Sequence, residues 1–222
     1  MIARMVTVTI VLFATAAPLV EAWVSTEGYP AGLLPASSLV DTTATEETEI
    51  LVDDSTVYQT VLGIGSSLEP TTCYNLSQLT DAQRNAVLVK LFDPIDGIGM
   101  TLARVCIGTP DFTGDDFYTY RDTPEATFTI DRDRRYILPM LREALAVNPD
   151  LRFYASPWSP SGWMTSTGDL IGGRLLPEHY SAYARYFVAF VQAYADAGIP
   201  SHAVTVQNEP GGDRCRASDT KG

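Results

Sequence analysis

Histidines and basic residues are scarce in this sequence, and each scarcity argues against a class of function. The two histidines, His179 and His202, lack the spacing of metal ligands, and we interpret both as surface or helix-end residues. Lys and Arg number 15 against 27 Asp and Glu, which gives a formal net charge of -12. A nucleic-acid-binding surface needs a basic patch, so the composition predicts no nucleic-acid partner.

Long apolar runs and phosphate-binding glycine motifs are also missing. No Gly-x-Gly-x-x-Gly follows a predicted strand, which leaves a dinucleotide-binding fold with little support. The apolar run Met5–Ala17 is shorter than the ~20 residues of a membrane-spanning helix. Arg4 precedes this run and Val20-Glu21-Ala22 follows it. This pattern predicts that residues 1–22 are a secretory signal peptide and that the mature chain begins at Trp23 without a transmembrane segment.

Cysteine is rare, and its count is odd. The three cysteines are Cys73, Cys106 and Cys215, so a secreted chain would keep at least one without an intrachain partner. Cys106 lies in an apolar strand-like run, and we interpret it as a small buried residue. A Cys73–Cys215 bridge stays open as an alternative, without support from the sequence.

What the sequence does contain is an alternation of strand-like and helix-like segments after a polar, Pro- and Gly-rich stretch. Residues 23–48 are predicted to be a flexible entry segment, and residues 49–222 a folded α/β domain. The alternation implies a parallel sheet with crossover helices. The predicted strands are Glu49–Val52, Val57–Leu62, Met100–Ile107, Leu151–Ala155 and Val204–Val206. The predicted helices run from the Thr80 capping box to Asp93, from Arg134 to Val147, and from Pro177 to about Gly198.

Each predicted helix carries one apolar face at helical spacing. The side chains predicted to point inward are Val87, Leu88 and Leu91 in the first helix, Ile137, Met140, Leu141, Ala144 and Leu145 in the second, and Tyr183, Phe187, Val191 and Tyr194 in the third.

Side chains suited to sugar binding follow three of the strands. Asp111 follows the strand Met100–Ile107, Trp158 and Trp163 follow Leu151–Ala155, and Asn208-Glu209 comes at the end of the last strand. An indole face offers flat apolar area for a sugar ring, and amide or carboxylate groups bond its hydroxyls. Since the carboxyl ends of parallel strands meet at one face, we expect these residues to converge. Each also has a simpler explanation, such as a core tryptophan or a turn-capping aspartate.

Glu209 is the candidate for proton transfer. Pro210 cannot donate to a strand ladder and keeps the residue before it out of the helical region, so Glu209 is predicted to be extended at the strand end. Partly buried among aromatic side chains, it would be suited to serve as a proton donor.

Taken together, these pieces resemble glycoside hydrolase family 30, the glucosylceramidase family, from about Tyr58 to Pro210. The matching segments are Ile98–Val105, Pro110–Thr113, Tyr118–Tyr120, Asp122–Pro124, Ala155–Pro160, Trp163–Met164, Ala184–Phe187 and Val204–Pro210. Their order along the chain is far more specific than Asn-Glu-Pro alone.

The resemblance implies a (β/α)8 TIM barrel, of which about the first four strand-helix units are present. It implies retaining hydrolysis of a β-glucoside, either glucosylceramide or a β-glucan, without a metal or cofactor. Glu209 would be the acid/base and Asn208 would bind the sugar 2-hydroxyl. Asp111 and Trp158 would line the first sugar subsite, and Arg104 would support the site from inside the barrel. A secreted or lysosomal location follows, and the oligomeric state is left open.

The sequence departs from the family pattern at three points. Where the family has Gly-Phe-Gly-Gly-Ala-Phe-Thr-Asp, residues 63–70 read Gly-Ile-Gly-Ser-Ser-Leu-Glu-Pro, and Glu69 is an added carboxylate. Cys106 stands where a proline is common. The nucleophilic glutamate of the family, at the end of the seventh strand, is missing, although a retaining enzyme needs two carboxylates ~5–5.5 Å apart. An inactive carbohydrate- or partner-binding half-barrel, or a truncated gene product, are therefore the alternatives.

Overall fold

The computed structural model describes residues 53, 55–114 and 116–209, together with the backbone of Trp23–Val24 and Leu34–Pro35. The predicted signal peptide, the predicted strand Glu49–Val52 and Cys215 lie outside the described residues.

The chain divides into two compact units, residues 1–59 and 60–222. In the first unit, β1 (Trp23–Val24) pairs antiparallel with β2 (Leu34–Pro35), within the stretch predicted to be a flexible entry segment.

The second unit is built on a four-stranded parallel sheet. All three neighbouring strand pairs are parallel, as the alternation of strands and helices predicts. The strands lie in chain order, which is the arrangement expected for the first strands of a (β/α)8 barrel. They are β3 (Gly65–Ser67), β4 (Leu102–Ile107), β5 (Arg152–Pro157) and β6 (Ser201–Val204).

Helices connect successive strands. The Thr80 capping box is confirmed, since the Thr80 hydroxyl accepts from the Gln83 N–H and the Gln83 side chain accepts from the Thr80 N–H. A helix that the sequence analysis missed precedes it, with Pro70 in its first turn. The helices are α1 (Pro70–Ser77), α2 (Asp81–Phe92), α3 (Ile137–Val147) and α4 (Tyr180–Asp196), with short 3-10 helices at Gly162–Met164 and Pro177–His179. None of the helices in the described part of the chain is long and apolar enough to cross a membrane.

The core lies between the sheet and the inner faces of the helices. The predicted inward faces of α3 and α4 are confirmed at Met140, Leu141, Tyr183 and Tyr194, which are all buried. The prediction is wrong for Val87, which is 36% exposed while its neighbour Leu88 is buried. The largest fully buried apolar side chains are Tyr194, Phe92, Phe153, Phe190, Leu88, Ile107, Leu138, Leu141, Met164, Ile199 and Val105.

Two predicted strands are displaced. Val57–Leu62 forms no strand and its side chains are exposed, while the strand lies a few residues later at Gly65–Ser67. Gly65 lies so close to the Leu102 carbonyl that a β-carbon would overlap it, so glycine rather than a β-branched residue fits there. The last strand is Ser201–Val204 and ends two residues before the predicted end at Val206, although the chain after it keeps backbone hydrogen bonds to β5 from the Thr205 and Asn208 N–H groups.

Candidate active site

Arg104 connects two polar side chains at the carboxyl end of the sheet. Its side chain extends from β4, where Nη2 donates to Asn208 Oδ1 at 3.0 Å. Nη1 donates to Glu69 Oε1 at 3.1 Å and forms an ion pair with it. The side chains of Arg104 and Glu69 are 21% and 13% exposed, so this ion pair is shielded from solvent more than a surface pair.

Glu69 also contacts Cys106. The Cys106 thiol donates to Glu69 Oε2 at 2.6 Å, so both oxygens of the carboxylate are engaged. Burial raises the pKa of the Cys106 thiol far above its ordinary value, and the negative charges of Glu69 and then Asp111 raise it further. The thiol therefore stays protonated and acts as a hydrogen-bond donor, and the prediction that Cys106 is buried is confirmed.

The segment that carries Asn208 and Glu209 runs beside β5 after β6 has ended. The Thr205 N–H donates to the Ala155 carbonyl at 2.9 Å, and the Asn208 N–H donates to the Pro157 carbonyl at 3.0 Å. These two bonds fix Asn208 against a buried strand.

Glu209 differs from the prediction in its backbone and in its exposure. Its φ is 49°, in the left-handed region, and its side chain is exposed rather than partly buried. Pro210 disfavours the right-handed helical region for residue 209, and an extended conformation was expected for that reason. Residue 209 instead lies in a turn after the strand and adopts the left-handed region, which also avoids the right-handed helical one.

Trp158 follows β5 and lies beside Asn208 and Glu209. Phe117 packs against it with the ring centroids 5.3 Å apart, and Gln207 donates from Nε2 to its carbonyl at 3.0 Å. Trp163 has a different role from the predicted sugar contact. Its indole N–H donates to the Arg121 carbonyl at 3.0 Å, and its ring packs edge-on against another aromatic side chain.

The loop over residues 108–128 carries Asp111, which is exposed and whose Oδ1 accepts from the Phe112 N–H at 3.0 Å. The loop is fixed further along by Tyr118 and Tyr120, whose hydroxyls donate to the buried carboxylate of Asp133 at 3.0 and 2.6 Å. The loop is thus anchored to the protein core.

A cavity of about 800 Å³ brings several of the predicted site residues together. Trp158, Asn208 and Glu209 contribute to its wall, while Arg104 contacts it through Asn208. Asp111 and Trp163 are not among the lining residues. The other residues that line it are Ser159, Pro160, Thr165, Leu170, Gly172, Gly173, Arg174, Leu175, Tyr180, Tyr183, Ala184, Phe187, Val206 and Gln207.

The arrangement supplies an aromatic face, an amide and an exposed carboxylate around one cavity, which suits a polyhydroxylated ligand. Among the described residues, no cluster of His, Cys, Asp and Glu has the geometry of a metal site. Phe117 was not predicted as a site residue, and Glu69 was left without a role. The signal for Glu69 was its position shortly after a strand, which Asp111 and Asn208 share.

Comparison with known proteins gives consistent results. The model of the glycosyl hydrolase family 30 TIM-barrel domain matches residues 61–220. Candidate glucosylceramidase 1 of Caenorhabditis elegans is 30% identical over 72% of this chain and 32% of its own length. An endo-1,6-β-D-glucanase of Aspergillus fumigatus is 31% identical over 73% of this chain and 38% of its own length. The chain thus spans about a third of the length of the curated relatives it matches.

Solved structures show the same similarity. The structure of an endo-β-1,6-glucanase matches with a TM-score of 0.64 and 39% identity, over 69% of this chain and 36% of that one. The SrfJ protein of Salmonella typhimurium matches with a TM-score of 0.65 and 29% identity, over 68% of this chain and 35% of that one.

Proposed function

Because the chain belongs to glycosyl hydrolase family 30, we propose that the protein is a retaining β-glycosidase of β-glucosides with Glu209 as its acid/base. The observation that carries the proposal is the common cavity of Trp158, Asn208 and Glu209, with Arg104 bound to the amide of Asn208.

Glu209 acts twice in this mechanism. It first gives a proton to the glycosidic oxygen as the bond to the leaving group breaks, and it then takes a proton from the water that releases the sugar. Its exposed side chain supports the second step, because water can approach it from solvent.

The neighbouring residues bind and orient the sugar. Asn208 donates to the 2-hydroxyl, and the indole of Trp158 packs against the sugar ring. Asp111 accepts from another hydroxyl of the same ring. The exposure of Asp111 and the anchoring of its loop by Tyr118 and Tyr120 support this role.

Retention requires a nucleophilic carboxylate ~5–5.5 Å from the acid/base. Glu69 is a poor candidate, because both its oxygens are engaged by Arg104 and Cys106. We assign the nucleophile to a glutamate outside these 222 residues. The 222-residue chain purified alone is therefore expected to give no turnover.

Two substrate classes follow from the names of the relatives, a β-1,6-glucan and glucosylceramide. Assays of the full-length protein on both substrates, with analysis of the released sugars, would separate them. Proton NMR of the anomer formed first tests retention.

Replacing Glu209 with Gln tests the acid role. In the full-length protein, Glu209→Gln is expected to lower kcat/KM at least ~10³-fold on an alkyl β-glucoside, whose leaving group needs a proton. The loss is expected to be far smaller on a 2,4-dinitrophenyl β-glucoside, whose leaving group departs unprotonated.

The matched control is Glu178→Gln, which makes the same change at an exposed glutamate ahead of α4. It should leave both rates unchanged. Equal losses on the two substrates with Glu209→Gln would contradict the acid/base assignment.

We also propose that the protein enters the secretory pathway, on the basis of the signal-peptide pattern in residues 1–22. Sequencing the amino terminus of the mature protein should give Trp23 as its first residue.

A further inference from the structure

We propose that Glu69 is a positioning residue for the sugar site: it orients the Arg104 guanidinium, which in turn orients the Asn208 amide toward the sugar 2-hydroxyl. The inference rests on the proposed function, since it concerns the sugar contact of Asn208.

Two departures from the family pattern lie in contact with each other. Glu69 stands where the family has threonine, and Cys106 stands where a proline is common. The Cys106 thiol donates to Glu69 Oε2 at 2.6 Å, which a proline side chain could not do. The two replacements therefore form one unit, in which Cys106 fixes one oxygen of the carboxylate.

The Arg104 guanidinium is held between two acceptors. Glu69 Oε1 accepts from Arg104 Nη1, and Asn208 Oδ1 accepts from Arg104 Nη2. A guanidinium is planar with a fixed fork of donors, so an acceptor on each of two nitrogens sets the orientation of the plane. Glu69 lies at the amino-terminal cap of α1, directly after β3, which gives its backbone a fixed position.

The hydrogen bond from Arg104 also sets the orientation of the Asn208 amide. Because Arg104 donates to Asn208 Oδ1, the NH₂ group of Asn208 faces away from the guanidinium and can donate to a ligand. If the Asn208 amide were flipped, its NH₂ group would face the N–H donors of the Arg104 guanidinium, and no hydrogen bond could form. Without Glu69, Arg104 has one acceptor fewer and the preference for the donating amide orientation weakens.

The test compares two substrates of the full-length protein, an aryl β-glucoside and its 2-deoxy analogue. Glu69→Ala is expected to lower kcat/KM about tenfold on the glucoside, the size of one lost hydrogen bond, and less than about twofold on the 2-deoxy analogue. Glu69→Gln keeps an oxygen that accepts from Arg104, so it should retain part of the difference in kcat/KM between the glucoside and its 2-deoxy analogue. It also provides a folded variant if Glu69→Ala is unstable.

A double-mutant comparison adds a second readout. Once Asn208→Ala has removed the amide, adding Glu69→Ala should cause no further loss on the glucoside. The matched control is Glu143→Ala, which breaks the ion pair between Glu143 and Arg84 (2.6 Å) away from the cavity. Glu143→Ala should leave the ratio of kcat/KM on the two substrates unchanged.

Equal losses on both substrates with Glu69→Ala and Glu69→Gln, or additive losses with Asn208→Ala, would overturn the inference and leave Glu69 a structural ion pair. The inference is also overturned if Asn208→Ala changes the ratio of kcat/KM on the two substrates and neither Glu69 variant changes it. The proposed function stands in that case. If Asn208→Ala leaves the ratio of kcat/KM on the two substrates unchanged, Asn208 does not contact the sugar 2-hydroxyl, and the inference is overturned as well.

Discussion

At the scale of single residues, the most unusual group outside the cavity is Asp133. Its fully buried carboxylate accepts hydrogen bonds from the hydroxyls of Tyr118, Tyr120 and Tyr194. Burial raises the pKa of Asp133 above its ordinary value of 3.8, and the three hydroxyl donors oppose this rise without cancelling it.

The raised pKa predicts a pH dependence of stability. The protonated carboxyl is favoured in the folded state, so its contribution is complete below the unfolded pKa of 3.8 and is lost as pH rises through the folded pKa. Asparagine does not titrate. The free energy of unfolding of the natural protein, relative to Asp133→Asn, should therefore decrease as the pH rises above about 4 in urea denaturation.

Asp131→Asn serves as the control, because it makes the same change two residues away, where the side chain is 77% exposed and pairs with the surface residue Arg134. Its effect should stay below ~0.5 kcal/mol at every pH. If the stability of the natural protein relative to Asp133→Asn instead rises with pH, the Asp133 carboxyl is not the group that burial keeps protonated.

The sequence predicted which residues lie at the candidate site better than it predicted their conformations. Arg104, Trp158, Asn208 and Glu209 follow from strand-end positions and the family resemblance, and three of them share the cavity. The left-handed backbone of Glu209 could not be predicted, because it depends on where β6 leaves the sheet. The contact between Glu69 and Cys106 joins residues 37 positions apart, and no local pattern encodes it.

At the scale of secondary structure elements, the position of β3 depends on one glycine. Gly65 pairs with Leu102 of β4, and a β-carbon at residue 65 would lie 1.4 Å from the Leu102 carbonyl oxygen. The two backbones can approach this closely only because Gly65 has no side chain.

Gly65→Ala is therefore expected to separate β3 from β4 and to lower the free energy of unfolding by on the order of 3 kcal/mol. Gly114→Ala is the control, since a β-carbon there would meet nothing within 4 Å. It should change stability by less than ~0.5 kcal/mol in the same chemical denaturation. If the two variants unfold at the same denaturant concentration, the contact at Gly65 does not constrain the sheet.

Helices were easier to predict than strands. The capping box of α2 and the apolar face of α3 are local patterns, and the structure confirms both. The strand predicted at Val57–Leu62 has residue types that favour a strand. Strand pairing, however, depends on a partner distant in sequence, and the segment that pairs with β4 is Gly65–Ser67. Helix α1 was missed because its eight residues include only two large apolar side chains, Tyr74 and Leu76.

At the scale of the whole molecule, the described sheet has two edges, β3 and β6. Unpaired strand edges favour association with another strand. Val206, next to β6, is 74% exposed and adds apolar surface at one of these edges.

The 222-residue chain purified alone is expected to self-associate through this edge, and Val206→Lys should reduce the association. Val188→Lys places the same charge on α4, at a valine that is 69% exposed but away from the sheet edge, and should have no effect. Sedimentation velocity at several concentrations measures both. Equal effects of the two variants would assign the change to net charge instead of the edge.

The anchoring of the loop over residues 108–128 has a consequence for protein synthesis. The Tyr120 N–H donates to the Tyr186 hydroxyl, and Tyr194 completes the hydrogen bonds around Asp133, so both partners lie more than 60 positions after the residues they hold. A ribosome adds ~5–20 residues per second, so the loop waits several seconds for α4 to emerge. The loop is thus fixed only after α4 has been synthesised, and a nascent chain stalled before Tyr194 should leave the loop open to protease.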